Sequence, residues 1–459
     1  MTARTPLEDG RETVTRARVA RVEGRYPEAT ALARSALDVV AGLPASPEVD
    51  ELRVQAVDVQ LSASEVVWAS GGAADVHDVI EAGLQAARRT GNAAAEARML
   101  HWRGRELVIS ESLERGLDVL RQAAHRAQLA GDPATHVRSL IELGHHAVGR
   151  DMGAGIQVLD RVHRMTAGEA GATGELPRRE LEIVLARLDG FRGVAAFDAG
   201  LFDPGERLLR DALRRLDPLP DHVSTFGNYL GQLLVAAGRY DEAETLLLHA
   251  LRVLAPVAPE SVHQGYNLGL LGKLYLDWDR PAEAEEPLRV GWGIVESTGN
   301  VSIRPILRNY LAELFLSDGY SDRDPARAYA LAEETASECR TTGFQRSEVA
   351  ALALGALAAL VQRRPEVAGA LSGQAADMLV RAGAMPALRT EEVFLTRSTV
   401  LRATGDLAGA GAWCDRARSV LLAKAASIGD PDRRSLFLRR VRVSREILAA
   451  GASEPSARA

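Results

Sequence analysis

The fold is decided by residues 230–251, which read LGQLLVAAGRYDEAETLLLHAL. Apolar residues recur at helical spacing on both sides of Gly238, so the stretch predicts two amphipathic helices joined by a tight turn. Gly231 is small enough to let the first helix pack closely on the second, and Leu247 is expected to fill the seam between them. This stretch therefore predicts one antiparallel helix pair.

The same pattern recurs along nearly the whole chain. Each predicted first helix has a small residue near its middle, and these residues are Ala17, Ala63, Gly104, Gly144, Gly193, Gly231, Gly272, Ala312, Gly355 and Ser398. The spacing from Ala17 to Ser398 gives roughly 42 residues per unit. No segment shows the alternating pattern of a β-strand. The sequence therefore predicts an all-α chain of about ten helix pairs.

These units resemble the tetratricopeptide repeat, a helix–turn–helix unit of about 34 residues with a few large and small signature positions. The resemblance covers roughly residues 15–450, and the longer units are similar to the repeat arms of large ATP-binding bacterial transcriptional regulators. It implies a right-handed α-solenoid of about ten pairs, with a C-terminal capping helix after Asp430. The nucleotide-binding part of those regulators is not expected, because the sequence contains no GxxxxGK[ST] loop.

The chain divides into a helical array with polar ends. We expect disorder at residues 1–14 and 451–459, because both ends are polar. Repeats are predicted at residues 15–165 and at residues 179–450, the second block including the capping helix. Residues 166–178 contain three glycines and a proline, and they predict a flexible connection between the two blocks.

Composition narrows the class of protein. The formal net charge of −7 argues against bulk nucleic-acid binding. The first residues form no apolar signal segment and no apolar run is long enough to span a bilayer, so we expect a cytoplasmic protein without membrane contact. Lys273 and Lys424 are the only lysines among 55 basic residues, a bias typical of GC-rich bacterial genomes. Cys339 and Cys414 are expected to be buried, reduced thiols.

The resemblance also implies where a ligand binds, because first helices line the inner surface of such superhelices. Carrying the groove-facing positions over unit by unit gives the candidates Arg98, His101, Arg105, Arg138, His145, Asn228, Gln232, Tyr266, Lys273, Asn309 and Glu313. Some family members clamp the terminal carboxylate of a peptide with such Asn, Arg and Lys side chains, and paired donors are best satisfied by an anion. We therefore expect a non-catalytic scaffold that binds a peptide segment or partner protein, with an acidic or carboxylate-bearing segment, in a concave groove. The alternative is that these residues are ordinary solvated side chains.

Two other functions stay open. The groove could sense a small anionic ligand, or an unusual enzyme could use His101 and His145 as acid–base groups. No third ligand lies at metal spacing beside these histidines and no catalytic motif is found, so no metal or cofactor is expected. A closed pocket would favour the sensor or the enzyme, and an open trough would favour the scaffold. A homodimer is a further alternative, because the ends of the array could expose apolar surface.

Overall fold

The computed structural model describes residues 4–65, 73–168, 176–217 and 219–452, and within these residues the chain forms helices and no strand. In chain order the helices are α1 (Pro6–Val22), α2 (Tyr26–Ala41), α3 (Pro47–Ala63), α4 (Ala73–Thr90), α5 (Ala93–Ser110), α6 (Leu113–Leu129), α7 (Pro133–Ala147), α8 (Met152–Gly168), α9 (Arg178–Asp198), α10 (Phe202–Leu216), α11 (Pro220–Ala236), α12 (Tyr240–Leu254), α13 (Val262–Asp277), α14 (Pro281–Thr298), α15 (Arg304–Leu316), α16 (Pro325–Thr342), α17 (Gln345–Val361), α18 (Pro365–Ala382), α19 (Thr390–Ala403), α20 (Leu407–Ala426), α21 (Pro431–Arg440) and α22 (Arg442–Ala452).

The helices alternate as first and second members of ten antiparallel pairs, from α1 with α2 to α19 with α20. Each first helix also packs on the first helix of the next pair, so a continuous layer of first helices runs through the molecule. All ten small residues aligned in the sequence lie in first helices, and the predicted all-α repeat array is confirmed. The cap consists of two short helices, α21 and α22, which pack on the last pair.

Close packing within each pair explains the small residues. A Cβ atom added to Gly231 would lie 2.9 Å from Leu247 Cδ2, closer than side-chain carbons approach one another. A Cβ atom on Gly104 would lie 2.9 Å from the backbone nitrogen of Leu120, which cannot move aside. Gly238 has a φ of 76°, the left-handed conformation that ends α11 and that glycine adopts without strain. The quoted stretch therefore forms the predicted helix–turn–helix unit.

The N-terminal boundary differs from the expectation, because α1 covers most of the segment predicted as disordered. Thr5 and Glu8 form a capping box that satisfies the first backbone donors of α1. Val14 and Ala17 then lie in one apolar cluster with Ala33 of α2. The expectation of disorder was based on the polarity of this segment alone. Helix α1 forms because its cap and one buried face stabilise it.

The predicted connection between two blocks begins inside a helix, because α8 continues to Gly168. Residues 169–175 and 453–459, which carry most of that connection and of the predicted tail, lie outside the described residues. Beyond the connection α7 packs on α9, and one apolar core extends from Val108 to Ile447. The division into two blocks stays a prediction.

Two expectations from composition can be compared with the described residues. Cys339 and Cys414 are buried and form no disulfide. Among the helices described, none combines the length and apolar character needed to cross a membrane.

Candidate binding site in the superhelix interior

The superhelix closes on itself in its N-terminal half. The backbone nitrogen of Val301 donates to the carbonyl oxygen of Ile109 at 2.9 Å, which joins the connection after α14 to the end of α5. The Tyr26 hydroxyl donates to the Asp221 carboxylate, which joins α2 to the start of α11. Because these contacts link units far apart in the sequence, the concave side is an enclosed interior here.

A second set of contacts closes the C-terminal half. Ser427 Oγ donates to the carbonyl oxygen of Gly200 at 2.8 Å and accepts from the backbone nitrogen of Phe202 at 3.2 Å. The ring of Phe437 in α21 packs on Phe202, with 5.4 Å between centroids. The start of the cap is thereby fixed against the fifth unit, so units five to ten form a closed ring around the interior.

Three adjoining cavities lie along this interior. The N-terminal cavity, of about 70 Å³, lies between α1, α3, α5, α7 and α9. The central cavity, of about 250 Å³, is bounded mainly by α5, α7, α9, α11 and α13. The C-terminal cavity, of about 810 Å³, is bounded mainly by α11, α13, α15, α17, α19 and α22. The central cavity shares lining residues with each of the other two, Arg187 on one side and Asp198 on the other.

The structure places all eleven predicted groove residues on the walls of these cavities. Arg98, His101, Arg105 and Arg138 line the N-terminal cavity; Arg105, His145, Asn228, Gln232 and Tyr266 line the central cavity; Gln232, Lys273, Asn309 and Glu313 line the C-terminal cavity. They share one interior, but they do not form one cluster. Their role in binding a ligand stays a prediction.

Two of the expected anion clamps already have carboxylate partners. Arg138 Nη2 lies 3.2 Å from Glu180 Oε2. Arg98 Nε lies 3.8 Å from Asp132 Oδ2. An incoming anion would have to compete with these carboxylates, so the N-terminal cavity is a poor clamp despite its arginines.

Between the N-terminal and central cavities lies a glutamate–arginine cluster, formed by Glu65, Arg105, Glu142 and Arg187. Arg105 pairs with Glu65, and its Nε lies 3.3 Å from Glu142 Oε2; Arg187 donates to the other oxygen of Glu142. Burial alone would raise the pKa of the Glu142 carboxyl, but Arg105 and Arg187 lower that pKa to about 2. The cluster holds two carboxylates and two guanidinium groups and is balanced in charge.

The histidines around this cluster are neutral. Burial, reinforced by nearby cations, lowers the pKa of His101 to about 3 and that of His145 to about 3. His101 Nδ1 lies 3.2 Å from Ser139 Oγ, and His145 Nε2 lies 3.2 Å from the hydroxyl of Tyr229. A general base works best with a pKa near the operating pH, so these imidazoles are poorly suited to proton transfer at neutral pH.

A ladder of side-chain amides crosses the wall of the central cavity. Gln232 Nε2 donates to Asn228 Oδ1 at 2.7 Å and to the Tyr266 hydroxyl at 3.0 Å. Asn228 Nδ2 donates to Asn267 Oδ1 at 3.2 Å, and Asn267 Nδ2 donates to Ser224 Oγ at 2.8 Å. Residues from α11 and α13 thus form one hydrogen-bonded strip with both donors and acceptors, the chemistry that a peptide backbone also offers.

The structure adds cavity residues that the groove rule did not include. His222 Nδ1 lies 2.7 Å from Asp221 Oδ2, while His222 Nε2 is buried without a hydrogen-bond partner. His263 and Arg346 line the same central cavity. These three residues share one position in the repeat: His222, His263 and Arg346 each lie nine residues before the central glycine of their first helix. The groove-facing positions used for the prediction begin about six residues before that glycine, so this row lies about one helical turn earlier. That common offset was the available signal.

Arg346 differs from the other cavity cations. Among the described residues no carboxylate oxygen lies within ion-pair distance of its guanidinium group, although Asp198 faces the same cavity. Burial would lower the pKa of Arg346, but its neighbours Tyr266, Tyr310 and Asp198 outweigh burial and raise it. Arg346 is therefore charged and is flanked mainly by neutral hydroxyls.

The C-terminal cavity carries an acidic network, which we define as Lys273, Asp277, Glu313, Arg389, Glu392, Arg442 and Glu446. At its buried end, Lys273 Nζ lies 3.0 Å from Asp277 Oδ1 and 2.7 Å from Glu313 Oε1. Arg389 donates to both oxygens of Asp277, at 3.0 and 2.6 Å. Lys273 and Glu313, both predicted groove residues, are therefore paired with each other.

The fold and this interior place the chain among all-α repeat solenoids with an enclosed ligand-sized interior. Residues 223–290 match the family model of the tetratricopeptide repeat, so this part of the chain carries the repeat that the resemblance in the sequence implied. No curated protein matches the chain in sequence.

Two solved structures show the same fold at low sequence identity. A Rap protein in complex with competence and sporulation factor is 10% identical, with a TM-score of 0.52 over 78% of this chain and 99% of its own. The apo quorum sensor NprR from B. thuringiensis is 11% identical, with a TM-score of 0.50 over 81% of this chain and 99% of its own. A signal-transduction ATPase with a tetratricopeptide-repeat sensor from Pyrococcus horikoshii is 12% identical over 88% of this chain, with a TM-score of 0.48. The chain spans 57% of that ATPase.

Proposed function

We propose that the chain is a non-catalytic binding protein that holds a peptide segment inside its closed superhelix. The observation that carries this proposal is the run of three adjoining cavities, whose walls combine apolar surface with buried polar and charged side chains. The largest, about 810 Å³, falls in the range of roughly 300–1,000 Å³ that ligand sites occupy. A folded partner is too large for such an interior, so the interior argues against the open-trough scaffold for a partner protein and is closer to that of a ligand sensor. An extended peptide segment is small enough to be the ligand.

The amide ladder favours a peptide over other small ligands. The ladder leaves its amide oxygens and one N–H of Asn228 to pair with a peptide bond, because both N–H groups of Gln232 and of Asn267 already donate within the protein. Asn228, Gln232 and Asn267 are all buried, and they hold one another in fixed orientations. A preorganised strip of this kind costs little entropy when a ligand binds.

Arg346 is the residue that we expect to hold an anionic group of the ligand. Its guanidinium group is charged and has no carboxylate partner among the described residues, in contrast to Arg98 and Arg138. A bidentate bond from arginine to a carboxylate is among the stronger hydrogen-bonded pairs in proteins. A peptide carboxylate fits this position.

Likeness to other proteins gives this proposal limited support. The Rap structure holds competence and sporulation factor, and NprR is a quorum sensor. At such low identity this likeness shows the fold alone, so the proposal depends on the cavities and on Arg346.

The alternative of an enzyme has one supporting observation, the Asp221–His222 pair with an unpartnered Nε2 in the central cavity. An aspartate-held imidazole of this kind could activate water for hydrolysis. His222→Gln tests it: loss of ester hydrolysis that the wild type shows would establish an enzyme. Absence of hydrolysis by the wild type across a set of aryl esters would exclude this reading.

The proposal is tested by incubating the purified chain with a library of synthetic hexapeptides and identifying retained peptides by native mass spectrometry. We expect a defined subset to bind the wild type, and Arg346→Gln to weaken those peptides at least 10-fold. Arg289→Gln is the matched control, because Arg289 is exposed and contacts only its helix neighbour Glu286. Absence of any retained peptide, or equal binding by Arg346→Gln, would overturn the proposal.

A further inference from the structure

The charges of the acidic network do not cancel. It holds four carboxylates, from Asp277, Glu313, Glu392 and Glu446, but only three cations, from Lys273, Arg389 and Arg442. The neighbouring pair of Lys424 and Glu391, at 2.6 Å, adds no net charge. Asp198 also lines this cavity, but it faces Arg346 in the central cavity and burial raises its pKa to about 6, so it is not counted in the surplus of one negative charge.

The network extends from the buried wall to the mouth of the cavity. Arg442 lies 3.7 Å from Glu313, 3.2 Å from Glu392 and 3.2 Å from Glu446, so one guanidinium group is shared among three carboxylates. The Asp277 side chain is almost completely buried, whereas Glu446 is about half exposed. The carboxylates of the network therefore extend along one wall from a half-exposed side chain on α22 to a buried one on α13.

An independent observation at the same wall is the amide of Asn309. Its Nδ2 donates to the carbonyl oxygen of Ser347 at 3.0 Å, and because that carbonyl can only accept, the orientation of the amide is fixed. Asn309 Oδ1 is then left as an acceptor, and it is buried without any hydrogen-bond partner. Asn309 is only 5% exposed and lines the C-terminal cavity. A buried acceptor without a donor costs about 1–3 kcal/mol. Because Asn309 Oδ1 has almost no surface open to the cavity, a ligand donor would recover that cost once the amide shifts toward the cavity.

Glu313 lies one helical turn after Asn309 on α15, so both side chains face the same side. Burial raises the pKa of the Glu313 carboxyl, and although Lys273 opposes this, Asp277 and Glu392 reinforce it. Lys273 at 2.7 Å and Arg442 at 3.7 Å therefore do not fully offset burial and the two neighbouring carboxylates. A further N–H-bearing cation at this position would satisfy both the surplus charge and the Asn309 acceptor.

We propose that the C-terminal cavity is a subsite for a cationic group of the ligand, an ammonium or guanidinium group held by Glu313, Glu392 and Asn309. This inference rests on the proposed function and names the ligand chemistry of the same interior. It places opposite charges on two parts of the ligand: a cationic part lies in the C-terminal cavity, and an anionic part lies at Arg346 in the central cavity. The cation has two sources, a peptide amino terminus or basic side chain, and a free polyamine.

The test uses two probes on the full chain by calorimetry: hexapeptides selected on the wild type, each with a free and with an acetylated amino terminus, and spermidine. Glu313→Gln and Glu392→Gln remove one charge each, and Glu286→Gln, at an exposed ion pair, is the matched control. Thermal melting of every variant identifies any loss of folding. We expect a cationic peptide to bind the wild type at least 10-fold more tightly than its uncharged analogue. Glu313→Gln should abolish that preference while leaving the uncharged analogue unaffected.

The outcomes separate the two proposals. If peptides bind but charge makes no difference, or if Glu313→Gln weakens charged and uncharged analogues alike, the cationic subsite is wrong and the peptide-binding function stands. If no peptide binds but spermidine binds the wild type and not Glu313→Gln, the subsite stands and the peptide-binding function is wrong. If neither probe binds, both proposals are overturned. Glu392→Gln repeats the test at a more exposed position if Glu313→Gln fails to fold.

Discussion

The glutamate–arginine cluster and the acidic network are both built from carboxylates paired with cationic side chains, and they differ in their charge balance. Both bridge first helices of neighbouring units through buried ion pairs inside the superhelix. In the cluster, two arginines lower the pKa of Glu142 to about 2. In the network, burial and neighbouring carboxylates raise the pKa of Glu313 in spite of Lys273. A balanced group of buried charges stabilises the fold, and an unbalanced one has capacity for a further charge.

The pKa of His146, which lies beside the glutamate–arginine cluster, also indicates that the cluster is balanced in charge. His146 Nε2 lies 3.7 Å from Glu142 Oε2, yet burial lowers the pKa of His146 to about 4. The imidazole is therefore not needed as a counterion, because Arg105 and Arg187 already neutralise Glu142. The cluster therefore needs no further charged group, and in this respect it differs from the acidic network.

The largest effect is expected for Glu142→Gln, which breaks the balanced cluster. The substitution removes the charge that Arg105 and Arg187 share, and it leaves two buried guanidinium groups with one carboxylate. A pKa lowered from 4.5 to about 2 corresponds to about 3 kcal/mol, since each unit corresponds to about 1.4 kcal/mol. Urea unfolding should show the free energy of unfolding falling by this amount.

The control for Glu142→Gln is Glu286→Gln, an exposed pair on one helix, for which we expect a change below about 0.5 kcal/mol. Equal effects of the two substitutions would show that the cluster is solvated and that its balance contributes nothing to stability.

The repeat fold could be predicted because its signals are local. The small residue in each first helix and the glycine turns recur at regular spacing, and the packing they imply is decided within one pair. The groove rule found eleven wall residues for the same reason. Polar partners far apart in the sequence could not be predicted, because Tyr26 and Asp221, or Arg389 and Asp277, meet only when the superhelix closes. The superhelix closes only at a particular small rotation between successive units, and the sequence pattern does not reveal that rotation.

A medium effect is expected for pH, through His101 in the N-terminal cavity. The pKa of His101 is lowered to about 3, below the usual 6.5 of the unfolded chain, so the unfolded state takes up a proton first. Stability is therefore complete above pH 6.5 and is lost as the pH falls toward 3. Between pH 7 and pH 5 this single histidine should cost about 2 kcal/mol.

His101→Gln removes this proton uptake, so the decline in the free energy of unfolding between pH 7 and pH 5 should be about 2 kcal/mol smaller than in the wild type. His249→Gln is the control, because His249 is exposed and its loss should leave the decline unchanged. An unchanged decline in His101→Gln would mean that His101 is protonated in the folded state, and that the cluster tolerates one more cation than its balance implies.

The smallest effect on stability is expected for Glu313→Gln. The sign of this effect tests whether the acidic network differs from the glutamate–arginine cluster in charge balance. The substitution keeps the shape of the side chain and an oxygen for Lys273, which also retains Asp277 at 3.0 Å as its counterion. Because the folded-state pKa of Glu313 is raised, its charge is less favourable in the folded chain than in the unfolded one. Neutralising it at pH 7 should therefore leave the free energy of unfolding unchanged or raise it by less than about 1 kcal/mol. A loss near that of Glu142→Gln would show that Glu313 is the required counterion of Lys273, that the network is as balanced as the cluster, and that no charge on its wall is left for a ligand.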